Sequence, residues 1–288
     1  MTDHRPFGAR VATAVRATGA PHEVVLRDYA LSYVLAAMYS DSELGEVLAF
    51  KGGTALRKCF FAGYRFSEDL DFTMRERWDE GRIEAALYGV TERAVRLTAP
   101  YGRFRFSVER REHRGRHAFG QLDYRVTVDY PTGATLPIKV EIIRDEPIVT
   151  PTTRLHLIHL FDGEALPAEV QCYSLEEIAV EKLRAFLQAR ESLERRDWLN
   201  RARDLYDLGY LWRQDAVRLE WGALRRPLEV KARARGVEFS GAADFRDERV
   251  LDAYRRQWEP RLRGFVPELP TFEEALTSFD EVLAAVLG

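Results

Sequence analysis

Apolar residues recur at helical spacing from Glu23 to Met38 (EVVLRDYALSYVLAAM), which predicts an amphipathic helix. VLAFK, Val47 to Lys51, is short and apolar, stops at Gly52-Gly53, and predicts a buried strand. TALRKCFFAG, Thr54 to Gly63, predicts a short helix with Thr54 as N-cap and Gly63 as its stop. DLDFTM, Asp69 to Met74, alternates and predicts a strand. Gly81 to Ala99 predicts a second amphipathic helix, ended by Pro100.

Three strand-like stretches follow. RFRFSVE (Arg103 to Glu109) alternates basic and aromatic residues. LDYRVTVDY (Leu122 to Tyr130) and LPIKVEII (Leu136 to Ile143) flank a PTGA turn and predict a hairpin. RLHLIHLF (Arg154 to Phe161) predicts one further strand. From Ser174 the period becomes helical. Ser174 with Glu177 three residues on has the form of a capping box, and Arg201 to Trp212 continues as helix. The change of period predicts an α/β (α+β) chain, with a sheet-bearing lobe over residues 1–150 and a mainly helical lobe over 151–288.

Composition narrows the class. A length of 288 residues suits two lobes, and 46% hydrophobic with 31% charged residues suits a packed globular core. No apolar run approaches the ~20 residues of a membrane span, and MTDHRPFGAR lacks a signal peptide's apolar stretch. Cys59 and Cys172 stand far apart in sequence, so a disulfide framework is not expected and a cytoplasmic location is. At a net charge of −3, any polyanion must be met by a local basic patch. Lysine occurs only at 51, 58, 139, 182 and 231 in an arginine-rich chain; a GC-rich genome accounts for such a bias, and the retained lysines are a weak pointer to positions that need a compact ammonium.

The chemistry concentrates between Ala49 and Met74. Side chains two apart on a strand share a face, so Asp69 and Asp71 lie side by side, with Leu70 and Phe72 turned to the core. Two carboxylates ~4 Å apart repel by roughly 4 kcal/mol at an effective dielectric of about 20, which calls for a proton, an arginine or a divalent cation. Mg²⁺ accepts carboxylate oxygens and keeps positions for water and phosphate. Glu141, mid-strand with Lys139 and Ile143 on its own face, is the third candidate ligand. Ahead of the aspartates, Gly52 and Gly53 allow close backbone approach and Thr54 opens a helix whose N–H groups favour phosphate. Ser67 is a further candidate phosphate contact. Together these features suit phosphoryl transfer.

Gly52-Gly53-Thr54 followed by RFSEDLDF (Arg65 to Phe72) resembles the signature of the polymerase-β-like nucleotidyltransferases, across a spacer a little longer than the commonest one. KGGTALRK with RFSEDLDF, then EKLRAF (Glu181 to Phe186) and RARDLYDLGYL (Arg201 to Leu211), resembles the AbiEii/MenT-type toxins in the same order. The matches span Lys51 to Leu211, and the last ~75 residues add nothing to them. The resemblance implies a nucleotidyltransferase-fold first lobe and a second lobe that completes the active-site cleft. It implies Ser67, Asp69 and Asp71 at the metal–triphosphate centre, Lys182 on the nucleotide phosphates and Asp204 as a further essential acid, with Asp207 ranked below it. The implied cofactor is Mg²⁺, or Mn²⁺ in its place, with an NTP as co-substrate. The implied acceptor is RNA, foremost a tRNA 3′ end, and the implied partner is a cognate antitoxin. Two other readings stand beside this one: nucleotidylation of a small molecule or a protein, and a non-catalytic NTP- or RNA-binding module.

Other motifs are absent or weak. There is no GxxxxGK[ST], GxSxG or HExxH. His113 with His117, and His156 with His159, lack partner ligands at zinc spacing. The basic runs Glu109 to His117 and Arg225 to Arg235 are where RNA phosphates are expected to be met.

Overall fold

The computed structural model describes residues 5–40, 43–112, 118–164, 166, 168–191, 201–215, 219–266 and 268–288. They fall into two units, one of residues 1–146 and 152–173, the other of 147–151 and 174–288.

The first unit is a seven-stranded mixed sheet with helices. Its strands are β1 (Leu48–Lys51), β2 (Asp69–Met74), β3 (Arg105–Arg111), β4 (Leu122–Asp129), β5 (Thr135–Ile143), β6 (Thr153–His156) and β7 (Glu169–Cys172), in the spatial order β3-β4-β5-β2-β1-β7-β6. β2 runs parallel to β5 and β1 parallel to β7, while the other pairs are antiparallel. The predicted hairpin is β4–β5, closed by Gly133 N–H donating to the Tyr130 carbonyl. β3 starts two residues later than the pattern suggested, after Gly102 at φ 148°, because its register runs from Arg105 opposite Asp129 to Arg111 opposite Asp123.

Residues 152–173 pack with the sheet rather than with the helical lobe. β7, which the hydrophobic pattern did not reveal, pairs with β1, and β6 pairs with β7. β6 is shorter than the predicted Arg154–Phe161 because the chain leaves the ladder there, with Ile158 N–H donating to the Lys58 carbonyl. A single boundary at 150 is therefore replaced by an interchange: the chain enters the second unit at 147–151, returns, and leaves again at Ser174.

The unit's helices are α1 (Phe7–Thr18), α2 (His22–Tyr39), α3 (Glu43–Val47), the short α4 (Gly52–Ala55) running into a π-helical turn (Leu56–Phe60), and α5 (Glu80–Thr98). α2 is not amphipathic as predicted. Every residue from Val24 to Met38 except Arg27 is buried, because the helix packs against α1, α5 and the sheet. Its polar members find internal partners: Asp28 accepts from Arg57 at 2.6 Å and Lys58 at 2.7 Å, and Ser32 accepts from Lys58 at 2.8 Å. Phe72 of β2 faces this side, 6.5 Å from the Tyr39 ring, and burying such a side chain contributes roughly 1.5–3 kcal/mol. The opposite face of β2 is left to Asp69 and Asp71.

The second unit is helical: α6 (Leu175–Glu191), α7 (Ala202–Asp215), α8 (Arg225–Ala234), α9 (Glu248–Leu262) and α10 (Phe272–Leu287). α7 packs on α6, α9 and α10. Phe186 stacks on Phe279 at 4.4 Å and meets Tyr254 edge-on at 5.3 Å, which anchors α6 to the later helices. Among the described residues no helix is long and apolar enough to cross a membrane.

Candidate active site

The strand registers assemble the site. Lys51 of β1 lies opposite Asp71 of β2, Asp71 beside Glu141 of β5, and Glu141 opposite Asp123 of β4. A second rung, two residues along, carries Asp69, Lys139 and Arg125, with Glu109 of β3 at its end. Asp69, Asp71 and Glu141 thus meet on one face, as the alternation required. Asp123 joins them, and sequence reasoning did not single it out. Its signal was present: counting equal steps outward from the Tyr130 and Ala134 ends of the turn brings Asp123 opposite Glu141.

Charge on this face is tightly managed. Gln121 donates to Asp123 at 3.0 Å and also to Glu141. Lys139 sits 2.9 Å from Glu141. Burial, then the negative charges of Glu141 and Asp69, hold the Asp71 carboxyl well above the ordinary carboxylate range, against the pull of Lys51. Burial also works to raise Glu141, but the Lys139 ammonium together with hydrogen bonds from Asp71 and Asp123 outweighs it, so Glu141 is lowered. The two carboxyls titrate as a linked pair, with Asp71 pushed up and Glu141 down. Lys51 itself is buried and bonds Glu146, whose carboxylate also accepts from Thr73.

The glycine turn fits around these groups. Gly52 has φ 78°, and a Cβ there would lie 2.6 Å from Asp71 Oδ2. A Cβ on Gly53 would strike the Arg65 guanidinium. Both glycines are therefore needed for the turn to close on the carboxylate and on Arg65. Thr54 is not the N-cap. The helix begins at Gly52 with Lys51 in the capping position, and no side chain caps it. The Thr54 hydroxyl instead bridges Ser67 Oγ at 2.7 Å and the Asp69 carbonyl at 2.6 Å, tying the turn to the segment that leads into β2. Arg57 braces the same segment, bonding the Tyr64 carbonyl and lying 3.6 Å from the centre of the Phe66 ring. The helix does not run to Gly63; its π-helical end stops at Phe60.

The second unit holds its own cluster. Lys182 is buried, with its ammonium 3.0 Å from Asp204 and hydrogen-bonded to Asp207 at 2.5 Å. Asp207 is fully buried, whereas Asp204 is partly exposed and also lies 3.4 Å from Arg201. Asp207, ranked second by sequence, is thus as close a partner of Lys182 as Asp204. Beneath them the capping box is half made. Glu177 N–H donates to Ser174 Oγ at 3.2 Å, but the Glu177 carboxylate is drawn to Val149 and Thr150 N–H and to Lys231 at 2.8 Å.

The sparse lysines share one trait: each of the five lies beside a carboxylate, and all but Lys139 are buried. Lys231 turns inward from the basic run 225–235, so that run is not a uniformly solvated face. His156 and His159 contact different acids, Glu169 at 3.8 Å and Glu164 at 3.5 Å, and form no shared site. His113 and His117, with the end of the run 109–117, lie outside the described residues. Cys59 and Cys172 are buried and free.

Among the described residues, no three His, Cys, Asp or Glu side chains form a ready-made metal cage. The donor chemistry of Asp69, Asp71 and Glu141 nevertheless fits a hard divalent cation. All are oxygen donors, they crowd one half-buried face, and a cation would offset the carboxylate charges that add to burial in raising Asp71.

Comparison with known families matches residues 33–285 to the model described as nucleotidyl transferase AbiEii toxin, type IV TA system. Among solved structures, the fold is similar to MenT4, a nucleotidyltransferase toxin from Mycobacterium tuberculosis H37Rv, with a TM-score of 0.64 and 22% identity over 96% of this chain and 88% of that one. A comparison with curated proteins gives no match.

Proposed function

The chain belongs to the AbiEii nucleotidyltransferase toxin family, and on that premise we propose that it transfers an NMP from an NTP to the 3′ end of an RNA, foremost a tRNA, and so blocks translation. Membership carries the coarser statements: a nucleotidyltransferase, the toxin of a type IV toxin–antitoxin system, with an NTP as substrate and a cognate antitoxin as partner. The acceptor, the metal and the residue roles are the proposal.

The observation that carries the chemistry is the rung Asp71–Glu141–Asp123 with Asp69 beside it. Asp69, Asp71 and Glu141 would hold Mg²⁺, or Mn²⁺ in its place. When bound, the cation neutralises the carboxylates and the developing phosphate charge. The Gly52-Gly53-Thr54 turn and Ser67 orient the triphosphate. The family resemblance assigns Lys182, whose ammonium Asp204 and Asp207 hold, to the nucleotide phosphates. The acceptor hydroxyl oxygen bonds to the α-phosphorus and the α–β P–O bond breaks. Pyrophosphate leaves with the electron pair, and the hydroxyl proton passes to a carboxylate of the rung.

The test is direct. Purified protein is incubated with Mg²⁺, each α-labelled NTP in turn, and either total bacterial RNA, protein extract or small-molecule extract. Label in a tRNA-sized band supports the reading and names the nucleotide. Label confined to protein or small molecules overturns the RNA assignment and leaves the transferase standing.

A further inference from the structure

On the open face of the sheet, a cavity of about 530 Å³ abuts Asp69. Its floor is formed by β5, β4 and the end of β3, and α2 contributes Arg27 at its wall. The volume suits a nucleotide-sized ligand. Its position relative to the glycine turn is informative. β2 separates β1, which leads into Gly52-Gly53, from β5 and β4. The turn therefore lies on one side of Asp69 and Asp71, and the cavity on the other. In-line displacement at phosphorus places the attacking and leaving oxygens on opposite sides of the reacting atom. A triphosphate held at the glycine turn leaves its pyrophosphate on that side, so the attacking hydroxyl enters from the cavity.

The cations in the cavity form a trail. Lys139 is one strand away from Asp69, Arg125 two, and Arg111 lies three strands away on β3. With strands about 4.8 Å apart, the trail runs roughly 14 Å from the carboxylates. Arg111, Arg125 and Lys139 are each about half exposed. The two arginines share one acid, Glu109, at 3.5 and 3.4 Å. Such exposed pairs contribute at most about 1 kcal/mol and exchange readily for a phosphate. Glu68, on the same wall, is held by Arg27 at 2.7 Å. A small-molecule acceptor has no use for cations so far from the reacting hydroxyl; a strand with a phosphate at every nucleotide does.

We propose that this cavity is the acceptor subsite and takes the terminal nucleotides of a single-stranded RNA 3′ end, with Lys139, Arg125 and Arg111 meeting successive backbone phosphates. The assignment rests on the RNA-transferase reading above.

The test measures steady-state transfer of label from an α-labelled NTP to RNA by the full-length wild type, Arg125→Gln, Arg125→Lys and Arg111→Gln/Arg125→Gln. Arg125→Gln is expected to raise the KM for RNA roughly tenfold. The double variant raises it further and lowers the slope of log affinity against log salt by about one for each phosphate no longer neutralised. The KM for NTP stays unchanged, and Arg125→Lys keeps most of the wild-type affinity for RNA. An unchanged RNA KM in Arg125→Gln, while the wild type labels RNA, overturns the subsite alone. A rise in the NTP KM instead assigns the cavity to the nucleotide and also overturns it. A wild type that labels no RNA removes both the subsite and the functional reading beneath it.

Discussion

Gly52 lies so close to Asp71 that a Cβ on the glycine would fall 2.6 Å from the carboxylate oxygen Oδ2, at a backbone φ of 78°. The glycine turn is thus shaped around the carboxylate as well as around any ligand. Gly52→Ala is predicted to cost about 1–2 kcal/mol from the left-handed backbone and to displace Asp71. Thermal melting should drop by several degrees, and transfer should fall on the order of a hundredfold. Gly63→Ala, with no neighbour within 4 Å and no left-handed φ, is the neutral control.

Asp123 should behave as part of the carboxylate rung, although no motif marks it. Its place opposite Glu141 and its shared donor Gln121 make it a positioning residue for the proposed cation ligands. Asp123→Asn is predicted to raise the Mg²⁺ concentration for half-maximal transfer by roughly 10–100-fold, the range for outer partners of metal ligands. A metal titration checks this, and an unchanged midpoint rejects the role.

Asp204 and Asp207 should separate stability from activity. Asp207 is fully buried against Lys182, so Asp207→Ala leaves a buried ammonium short of a partner and should destabilise by about 3–5 kcal/mol. Asp204 is partly exposed, so Asp204→Asn should melt near the wild type while transfer falls. Denaturant unfolding alongside a transfer assay tests both.

An acid-sensitive element is built into α2. Burial works to raise the Asp28 carboxyl, but Lys58 and Arg57 overcome it and hold it at about 2, against an ordinary 3.8. Lys58 has one anion and a repelling Arg57, so burial prevails there and its ammonium is lowered to about 8. The Asp28 pKa is depressed by folding. Its contribution, about 2 kcal/mol, is present above pH 3.8 and lost as pH falls toward 2. Asp28→Asn should flatten that part of the stability curve, as read by urea unfolding between pH 5 and 2.

Local pattern made the chemistry legible, while pairing across the sheet did not show in it. The alternation of DLDFTM was enough to put Asp69 and Asp71 on one face, and the PTGA turn was enough to define the β4–β5 hairpin. Asp123 went unread because its partner is set by register, which emerges only when the hairpin is counted out. β7 was missed because EVQC is four residues long and carries no alternation. α2 looked amphipathic because Asp28 and Ser32 are polar, although Arg57 and Lys58, about thirty residues on, satisfy them in the core. Glu177 was read as half of a local cap because three-residue spacing is visible in sequence, whereas its partners at Val149 and Thr150 are not. The lysines were visible as rarities, and in the structure each ammonium meets a carboxylate, as many of the arginines also do.

The carboxylates of β2 are proposed to carry out the transfer. The most direct measurement compares wild type and Asp69→Asn, matched for melting temperature, in transferring an α-labelled NTP to bacterial RNA with Mg²⁺. A labelled RNA band is expected with the wild type, and its loss, by at least about a thousandfold, with Asp69→Asn. A variant that folds like the wild type and still labels RNA at a comparable rate would contradict that role.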